Sequence, residues 1–301
     1  MKSFGVYLPV SHPRGLPSFS SVIDYAVTAE GLKFDGLWVG DHLLWRTPLL
    51  DATTTLAAVA SVTQRIGLGT NVLLLALRPA LVSAKTIGTL SYLAGDRFTL
   101  GVGVGGEFPE EFEAVGLPLA DRGRALDQAL ADLRDFWWGA TDDGRTRVSP
   151  APNASGLPLW VGGRSDAALR RTVRQRAAAW SAHFVTPSQL AEKKATLCAL
   201  ADEAGVERPG VAVTLNINVA DDGGAEAREF AEAHFGLPYE RIGRHVIVGD
   251  LAHCCERVAA YLEHADHVVL FPASFDMLGQ LHRLAEMVES LREPRTAQVA
   301  R

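Results

Sequence analysis

The chain has 301 residues, a length that suits either two small domains or one large α/β domain. Hydrophobic residues make up 48% of the sequence, charged residues make up 21%, and the formal net charge is -6. This composition excludes a largely disordered chain. Both signs of charge are scattered without a basic run, which argues against nucleic acid as a partner.

Apolar stretches and cysteines give the expected location. The apolar run at the start is too short for a signal peptide, and no stretch reaches the roughly 18 apolar residues that a membrane span requires. Cys198, Cys254 and Cys255 are odd in number and have no metal-site spacing, which argues against disulfides and zinc. We therefore expect a soluble, cytoplasmic protein with no membrane contact and no bound metal.

The first part of the chain alternates strands and helices. Short apolar runs bounded by glycine or proline predict strands, and apolar residues at helical spacing predict helices. The predicted strands are Phe4–Val10, Leu37–Gly40, Arg65–Leu74 and Phe98–Val104, and the predicted helices are Ser18–Glu30, Asp51–Val62, Pro79–Leu93 and Arg122–Trp138. Such alternation is typical of parallel strands joined by right-handed crossovers.

A long irregular segment, residues 139–157, precedes a second series of the same kind. Its predicted strands are Leu159–Gly163, Ala179–Ala182, Val211–Val219 and Val268–Phe271, and its predicted helices are Asp166–Ala178, Pro187–Ala204, Ala225–Ala233, Leu251–Glu263 and Phe275–Leu291. Eight strand–helix pairs without a linker predict one domain over residues 1–301. The expected fold is an α/β (β/α)8 TIM barrel with a long loop after the fourth barrel helix. An open, doubly wound sheet divided near residue 150 is the alternative.

In a barrel of this kind, the residues that follow each strand converge on one mouth. The candidates at these positions are His12, Asp41, His42, Trp45, Thr70, Asn71, Glu107, Gly162, Gly163, Arg164, Ser165, His183 and Phe271. Imidazole has an unperturbed pKa of about 6.5, which suits His42 to proton transfer, and Asp41 beside it is expected to orient the ring. A half-buried histidine without a chemical role is the alternative.

Two glycine-rich segments also follow strands. Residues 101–106 match GxGxxG, but they follow the fourth strand, whereas a dinucleotide site needs this motif after the first strand of a βαβ unit. We expect these glycines to let the backbone approach a bound ring, with Glu107 facing the mouth; a tight turn is the alternative. The segment 162–165, Gly-Gly-Arg-Ser, precedes a helix and is a candidate phosphate cradle.

Several segments, in this order along the chain, resemble the bacterial luciferase-like family of flavin- and deazaflavin-dependent oxidoreductases. They are residues 34–42 (FDGLWVGDH), 66–72 (IGLGTNV), 96–103 (DRFTLGVG), 158–163 (PLWVGG) and 266–270 (DHVVL). The resemblance implies a (β/α)8 barrel that binds the deazaflavin coenzyme F420, or alternatively FMN, at its mouth. It also implies a homodimer by analogy.

The resemblance also implies roles for individual residues. The family's proton-handling histidine falls on His42, and an acid of some deazaflavin dehydrogenases falls on Glu107, with Glu110 and Glu111 as alternatives. The family's strand-three bulge, often a non-prolyl cis peptide that supports the ring, falls on Asn71-Val72. The cofactor-binding set is Asp41, Thr70, Asn71, Val72, Gly105, Gly162, Gly163, Arg164 and Ser165, and the substrate-binding set is Trp45, His12 and His183.

Three functions follow as hypotheses. The first is hydride transfer between F420 and a small organic substrate. The second is an FMNH2-dependent luciferase-like monooxygenase supplied by a separate flavin reductase. The third is a flavin-binding barrel without turnover. The aromatic residues Trp45, Trp160, Trp180 and Phe271 suggest a partly apolar substrate.

Overall fold

The computed structural model describes residues 2–139, 147–153, 156–220 and 224–292. The strands are β1 (Ser3–Tyr7), β2 (Gly36–Val39), β3 (Gly67–Thr70), β4 (Phe98–Val102), β5 (Leu159–Gly162), β6 (Ala179–His183), β7 (Gly210–Val219), β8 (Val246–Gly249) and β9 (His267–Pro272). The helices are α1 (Phe19–Gly31), α2 (Ala52–Val62), α3 (Ala80–Ala94), α4 (Glu110–Ala114), α5 (Arg122–Trp138), α6 (Asp166–Arg174), α7 (Pro187–Ala204), α8 (Ala225–Phe235), α9 (Tyr239–Ile242), α10 (Leu251–Leu262) and α11 (Met277–Arg292).

Eight of these strands close into a parallel barrel. The strands β1 to β6 pair in chain order, β6 pairs with β7, β7 pairs with β9, and β9 returns to β1. The helices lie between the strands in sequence, so the predicted (β/α)8 barrel is confirmed and the open sheet is excluded. No helix in the described part of the chain has the length and hydropathy to cross a lipid bilayer.

The ninth strand, β8, is an addition that the sequence analysis missed. Residues 210–214 of β7 pair with β6, and residues 216–219 extend beyond β6 and pair with β8. Only this overhang gives the four residues of β8 a hydrogen-bonding partner, so local sequence carries little signal for the strand. The one-turn helix α4, which follows the glycine-rich residues 101–106, was also missed.

Two predicted elements end four residues earlier than expected. The strand predicted at Arg65–Leu74 ends at Thr70, where a bulge at Asn71-Val72 interrupts the pairing, and Leu73 then pairs with Val102 as an isolated bridge. The helix predicted to reach Ala178 ends at Arg174, and Arg176 has a positive φ of 50°. A β-carbon disfavours continued helix at such an angle.

Part of the predicted long loop lies outside the described residues, namely 140–146 and 154–155. In the described part, the amide of Val148 donates to the carbonyl of Phe136 at 2.9 Å, and Lys85 donates to the carbonyl of Ser149. These contacts hold residues 147–153 against α3 and α5. The single domain expected over residues 1–301 includes residues outside the described ranges and stays a prediction.

Polar side chains cap the N-termini of several helices that follow strands. The side chains of Ser18, Asp51, Ser165, Thr186 and Asp250 each accept a hydrogen bond from a backbone amide of the following first turn. Such caps satisfy amides that have no partner within the helix. They fix where the connections end and the outer layer of helices begins.

Two tryptophans fill the barrel interior below the mouth. The rings of Trp38 and Trp160 stack with centroids 4.1 Å apart, and Trp160 lies 5.0 Å from His267 at the start of β9. A β-carbon at Gly69 would overlap the Trp38 ring, so the neighbouring strand requires glycine there. Trp160 and the fully buried Trp180 therefore pack in the core, and the suggestion that they indicate a partly apolar substrate stays a prediction.

Candidate active site

His42 lies in the connection after β2, at the mouth of the barrel. Its Nδ1 lies 2.7 Å from Oε1 of Glu111, whose side chain is fully buried. The imidazole stacks on the indole of Trp45 with ring centroids 4.0 Å apart and planes 20° from parallel. Two side chains from the predicted site and one acid from α4 thus form a compact group.

Asp41 does not orient His42, contrary to expectation. Its carboxylate receives two hydrogen bonds from the guanidinium of Arg78, at 2.7 and 2.8 Å, and a third from the amide of Leu74 at 2.9 Å. Successive residues after a strand point in different directions, so Asp41 faces the core while His42 faces the mouth. The assigned contact of Asp41 with a cofactor stays a prediction, although its side chain is fully buried.

Glu107 and Glu111 separate clearly in the structure. Glu107 is exposed, whereas Glu111 is buried and also accepts the amides of Leu43 at 2.5 Å and Leu44 at 3.3 Å. The acid that contacts His42 is therefore Glu111, which the sequence analysis named only as an alternative. The catalytic role assigned to Glu107 stays a prediction.

The bulge after β3 is fixed by hydrogen bonds across the barrel. The amide side chain of Asn71 donates to Thr214 of β7 at 2.9 Å and accepts from Ser181 of β6 at 2.8 Å, and the hydroxyl of Tyr7 donates to the Asn71 carbonyl. The hydroxyl of Thr70 donates to the carbonyl of Gly101 at 2.7 Å. The predicted non-prolyl cis peptide between Asn71 and Val72 is confirmed.

The glycines of β4 and β5 pack against this bulge. A β-carbon at Gly101 would overlap the carbonyl oxygen of Thr70, and one at Gly103 would overlap the side chain of Val72. A β-carbon at Gly162 would lie 2.5 Å from Cγ1 of Val72. Gly101, Gly103 and Gly162 thus make room for the bulge. The expected role of Gly101 and Gly103 was to make room for a bound ring, and that of Gly162 was to form a phosphate cradle.

The segment Gly162–Ser165 forms the start of α6 at the mouth. Gly163 has a φ of 135°, and its amide donates to the carbonyl of Ser181 at 3.1 Å. Ser165 caps the helix by accepting the amide of Ala168 at 3.3 Å. The first amides of a helix have no partner within it, so this end of α6 presents donors to the solvent.

Arg164 adds a positive charge to this end of the helix. It is exposed, lies 3.5 Å from the carbonyl of Phe184, and forms no ion pair with any carboxylate in the described ranges. Asp166 in the first turn pairs with Lys193 at 2.8 Å. The lysine lowers the pKa of Asp166 through a hydrogen bond and its charge, so the acid is compensated locally.

Another part of the mouth is rich in histidine and aromatic rings. His234 of α8 stacks on Phe230 with centroids 5.5 Å apart and lies 5.1 Å from Phe271. Its Nδ1 is buried without a hydrogen-bond partner in the described part of the chain. Burial lowers the pKa of His234 to about 4. Sequence reasoning missed this residue because α8 follows β7 at a distance and carries no motif.

The two predicted substrate histidines, His12 and His183, lie on the same side, each close to an aromatic ring of α8. Nε2 of His183 lies 3.2 Å from the side-chain oxygen of Asn216, and burial lowers the pKa of His183 to about 4. Nε2 of His12 lies 3.3 Å from the carbonyl oxygen of Phe275. The ring centroids of His12 and Phe275 are 5.6 Å apart. Burial thus keeps the rings of His183 and His234 uncharged near pH 7.

Contacts between rings connect these groups around the mouth. Trp45 lies 6.5 Å from His234, which lies 4.8 Å from Phe235, which in turn lies 6.3 Å from His183. The charge of Arg164 contributes to the lowered pKa of His183. The structure therefore brings the His42 group and the Gly162–Ser165 segment to one mouth.

Fold and site together define a (β/α)8 barrel enzyme with its polar groups at the carboxyl ends of the strands. The chain belongs to the luciferase-like monooxygenase family, whose model matches residues 3–241. Members and relatives of this family are oxidoreductases and monooxygenases. The predicted family and enzyme class are confirmed.

Sequence comparison finds relatives of different kinds. An uncharacterised protein of Mycobacterium tuberculosis is 35% identical over 227 residues, 66% of this chain and 77% of the relative. The 4-hydroxyprotoasukamycin monooxygenase of Streptomyces nodosus subsp. asukaensis is 30% identical over 243 residues, 73% of this chain and 65% of the relative.

Among solved structures, an F420-dependent secondary alcohol dehydrogenase in complex with an F420-acetone adduct is similar with a TM-score of 0.84. The identity is 17%, and the match covers 97% of this chain and 99% of that structure. At this identity, the similarity shows the fold alone. Structures of similar fold include F420-dependent enzymes and an FMN-containing monooxygenase.

The residues at the start of α6 fit a phosphate-bearing cofactor. A β-carbon at Gly163 would lie 3.0 Å from that of Ala168, so only glycine leaves this turn open. The first helix amides, the Ser165 hydroxyl and Arg164, which has no ion pair within the described ranges, form a donor set that suits a phosphate. F420 and FMN both carry a tricyclic ring and a phosphate, so this fit does not distinguish them.

Proposed function

We propose that the protein is an F420-dependent oxidoreductase that transfers a hydride between the deazaflavin and a small organic substrate. The observation that carries the proposal is the position of His42, held by Glu111 and Trp45 at the same mouth as the candidate phosphate cradle. The dehydrogenase with the F420-acetone adduct, whose fold matches over 97% of this chain, supports it.

The residues have distinct roles in this proposal. Arg164, Ser165 and the first amides of α6 would hold the phosphate, and the bulge at Thr70–Val72 would support the ring. The deazaflavin, when bound, supplies a ring that accepts or releases a hydride. Glu107 stays a candidate for a second proton-handling group because it follows β4 at the same mouth.

His42 handles the proton that accompanies the hydride. When a hydride leaves a carbon that bears a hydroxyl, the hydroxyl proton must go to a base, and Nε2 of His42 is suited to accept it. In the opposite direction the imidazolium returns that proton to the oxygen. His42 is therefore assigned as the general acid and base of the reaction.

The aromatic wall favours a partly apolar, uncharged substrate. Trp45, Phe230 and Phe271 contribute rings to this side of the mouth, and burial keeps His183 and His234 neutral near pH 7. Apolar pockets with a few polar groups are typical of small-molecule sites. Trp45, His12 and His183 are proposed to contact the substrate.

An FMNH2-dependent monooxygenase is the second candidate function. The 30% identity to 4-hydroxyprotoasukamycin monooxygenase, over 73% of the chain, favours it specifically. Such an enzyme would require a flavin reductase as partner. A homodimer stays a prediction from the family resemblance, and a cytoplasmic location stays a prediction from the apolar pattern of the sequence.

Titration with each coenzyme separates the two functions. The purified protein is titrated with F420 and with FMN, and binding is followed by fluorescence quenching or by absorbance. We expect micromolar or tighter binding of F420 and at least tenfold weaker binding of FMN. Reduction of bound F420 by a panel of secondary alcohols then tests hydride transfer, and tight binding of FMN alone would refute the proposal.

A further inference from the structure

Glu111 is a buried acid at the mouth, and both of its carboxylate oxygens have polar partners. Its side chain is 0% exposed, and both of its oxygens receive contacts from the connection after β2. Oε1 lies 2.7 Å from Nδ1 of His42, and Oε2 accepts the amides of Leu43 at 2.5 Å and Leu44 at 3.3 Å. A buried carboxylate is costly unless such donors surround it.

These contacts determine which nitrogen of His42 carries a proton. An ionised carboxylate only accepts hydrogen bonds, so Nδ1 must donate its hydrogen to Oε1. In a neutral imidazole, Nε2 is then the nitrogen without a hydrogen. Within the described ranges, Nε2 of His42 has no hydrogen-bond partner and is not among the buried polar atoms that lack one, so it is accessible at the mouth.

The same carboxylate fixes the backbone that carries Trp45. The amides of Leu43 and Leu44 lie between His42 and Trp45, and the two rings stack on each other. Leu43 and Leu44 are both exposed, with exposed fractions of 42% and 45%. Because these leucines are not anchored in the core, Glu111 is a main polar anchor of this turn.

We propose that Glu111 is a positioning residue that holds His42 in the Nδ1-protonated tautomer and keeps Nε2 free for proton transfer. The functional part of this inference rests on the proposed hydride transfer. The tautomer itself does not, because it is a property of the protein without coenzyme. For a metal-binding histidine, loss of the acid that orients it typically costs about 10-fold to 100-fold in activity, and we expect an effect of this size here.

The sequence supplies a matched control beside it. Glu110 precedes Glu111 in the same helix, α4, but is exposed. The variants E111Q and E110Q therefore make the same chemical change at adjacent positions. Glutamine can still accept the amides of Leu43 and Leu44, so E111Q retains much of the turn while it removes the charge that selects the tautomer.

The test combines a spectroscopic and a kinetic measurement. Histidine 15N chemical shifts are recorded above pH 8 for the wild type, E111Q and E110Q, with His42 assigned through H42N. We expect Nδ1–H with a bare Nε2 in the wild type and in E110Q, and a population with Nε2–H in E111Q. With F420 and an oxidisable alcohol, we expect kcat of E111Q to fall at least tenfold, with the F420 dissociation constant within threefold.

The outcomes are decisive in each case. A wild-type His42 with hydrogen on Nε2, or an E111Q variant with unchanged tautomer and kcat, overturns the inference. If E111Q does not fold, as judged by circular dichroism, the wild-type spectrum alone decides. If F420 does not bind the wild type, the proposed function fails, and the tautomer measurement still tests the role of Glu111.

Discussion

Asp41 and Arg78 form a bidentate ion pair beneath the mouth, with Nη1–Oδ2 and Nη2–Oδ1 distances of 2.7 and 2.8 Å. The Asp41 side chain is fully buried and that of Arg78 is 16% exposed. The pair ties the residue before His42 to the connection between β3 and α3. Asp41 thus stabilises the scaffold, whereas the adjacent His42 is the candidate for proton transfer.

Loss of Arg78 should destabilise the fold strongly. The substitution R78M leaves the Asp41 carboxylate buried without its partner, which typically costs about 3–5 kcal/mol. The control D51N removes the charge from the exposed contact of Arg78 with Asp51, at 3.2 Å, which is worth about 1 kcal/mol or less. The asparagine side chain can still cap α2 as Asp51 does. Urea denaturation measures the free energy of unfolding of both variants. Equal values for R78M and D51N would contradict a stabilising role of the buried Asp41–Arg78 pair.

A methyl group at Gly101 should disrupt the bulge that follows β3. The added β-carbon of G101A would overlap the Thr70 carbonyl, so strand and bulge must separate, at a cost of about 3 kcal/mol. The control G31A adds a methyl group at the exposed end of α1, where no atom lies within 4 Å. The melting temperature should fall for G101A and stay the same or rise for G31A. A normal melting temperature for G101A would count against this packing.

The cradle at Gly162–Ser165 should be sensitive to a β-carbon. Gly163 has a φ of 135° and Gly205, at the end of α7, has a φ of 63°. Alanine strains the backbone at both positions, but only G163A alters the start of α6. We expect the F420 dissociation constant to rise about tenfold in G163A and to stay unchanged in G205A. Equal affinities in fluorescence titration would remove this segment from the phosphate site.

Low pH should destabilise the fold through the buried histidines His183 and His234. Burial lowers the pKa of His183 and of His234 to about 4 from an ordinary value of 6.5. The unfolded chain therefore binds more protons than the folded one between these values, and stability present above pH 6.5 is lost as the pH falls towards 4. Each histidine contributes about 1 kcal/mol per pH unit in this range.

The variant H234F isolates one of these two contributions. Phenylalanine keeps the stack on Phe230 and removes the titrating group, so the decline of stability between pH 6.5 and 4 should become shallower. The control H253N changes an exposed histidine of α10 and should leave the decline unchanged. Urea denaturation at several pH values measures the free energy of unfolding. An identical dependence on pH for H234F and the wild type would contradict the contribution assigned to His234.

The barrel was predictable because its signals are local. Each strand from β1 to β7 is a short apolar run between turn residues, and each run precedes or follows a helical pattern. The strand β8 was not predictable in this way, because its partner is the overhang of β7, which exists only once β6 has ended. The prediction of a cis peptide at Asn71-Val72 was based on the family resemblance and not on local sequence propensity.

The site was predictable in part for the same reason. His42 and the Gly162–Ser165 segment directly follow strands, so the topology alone places them at the mouth. Glu107, Glu110 and Glu111 are chemically the same in sequence, and only the single turn of α4 directs Glu111 inward. His234 lies on a helix remote from any motif, and its position depends on packing between α8 and β9.

The proton-transfer role of His42 beside a bound deazaflavin is the central claim, and the variant H42A tests it directly. F420 affinity and kcat are measured for H42A and the wild type with the same alcohol. We predict that kcat falls about 100-fold or more while the F420 dissociation constant changes by less than about threefold. Undiminished turnover in H42A with F420 bound would contradict the account.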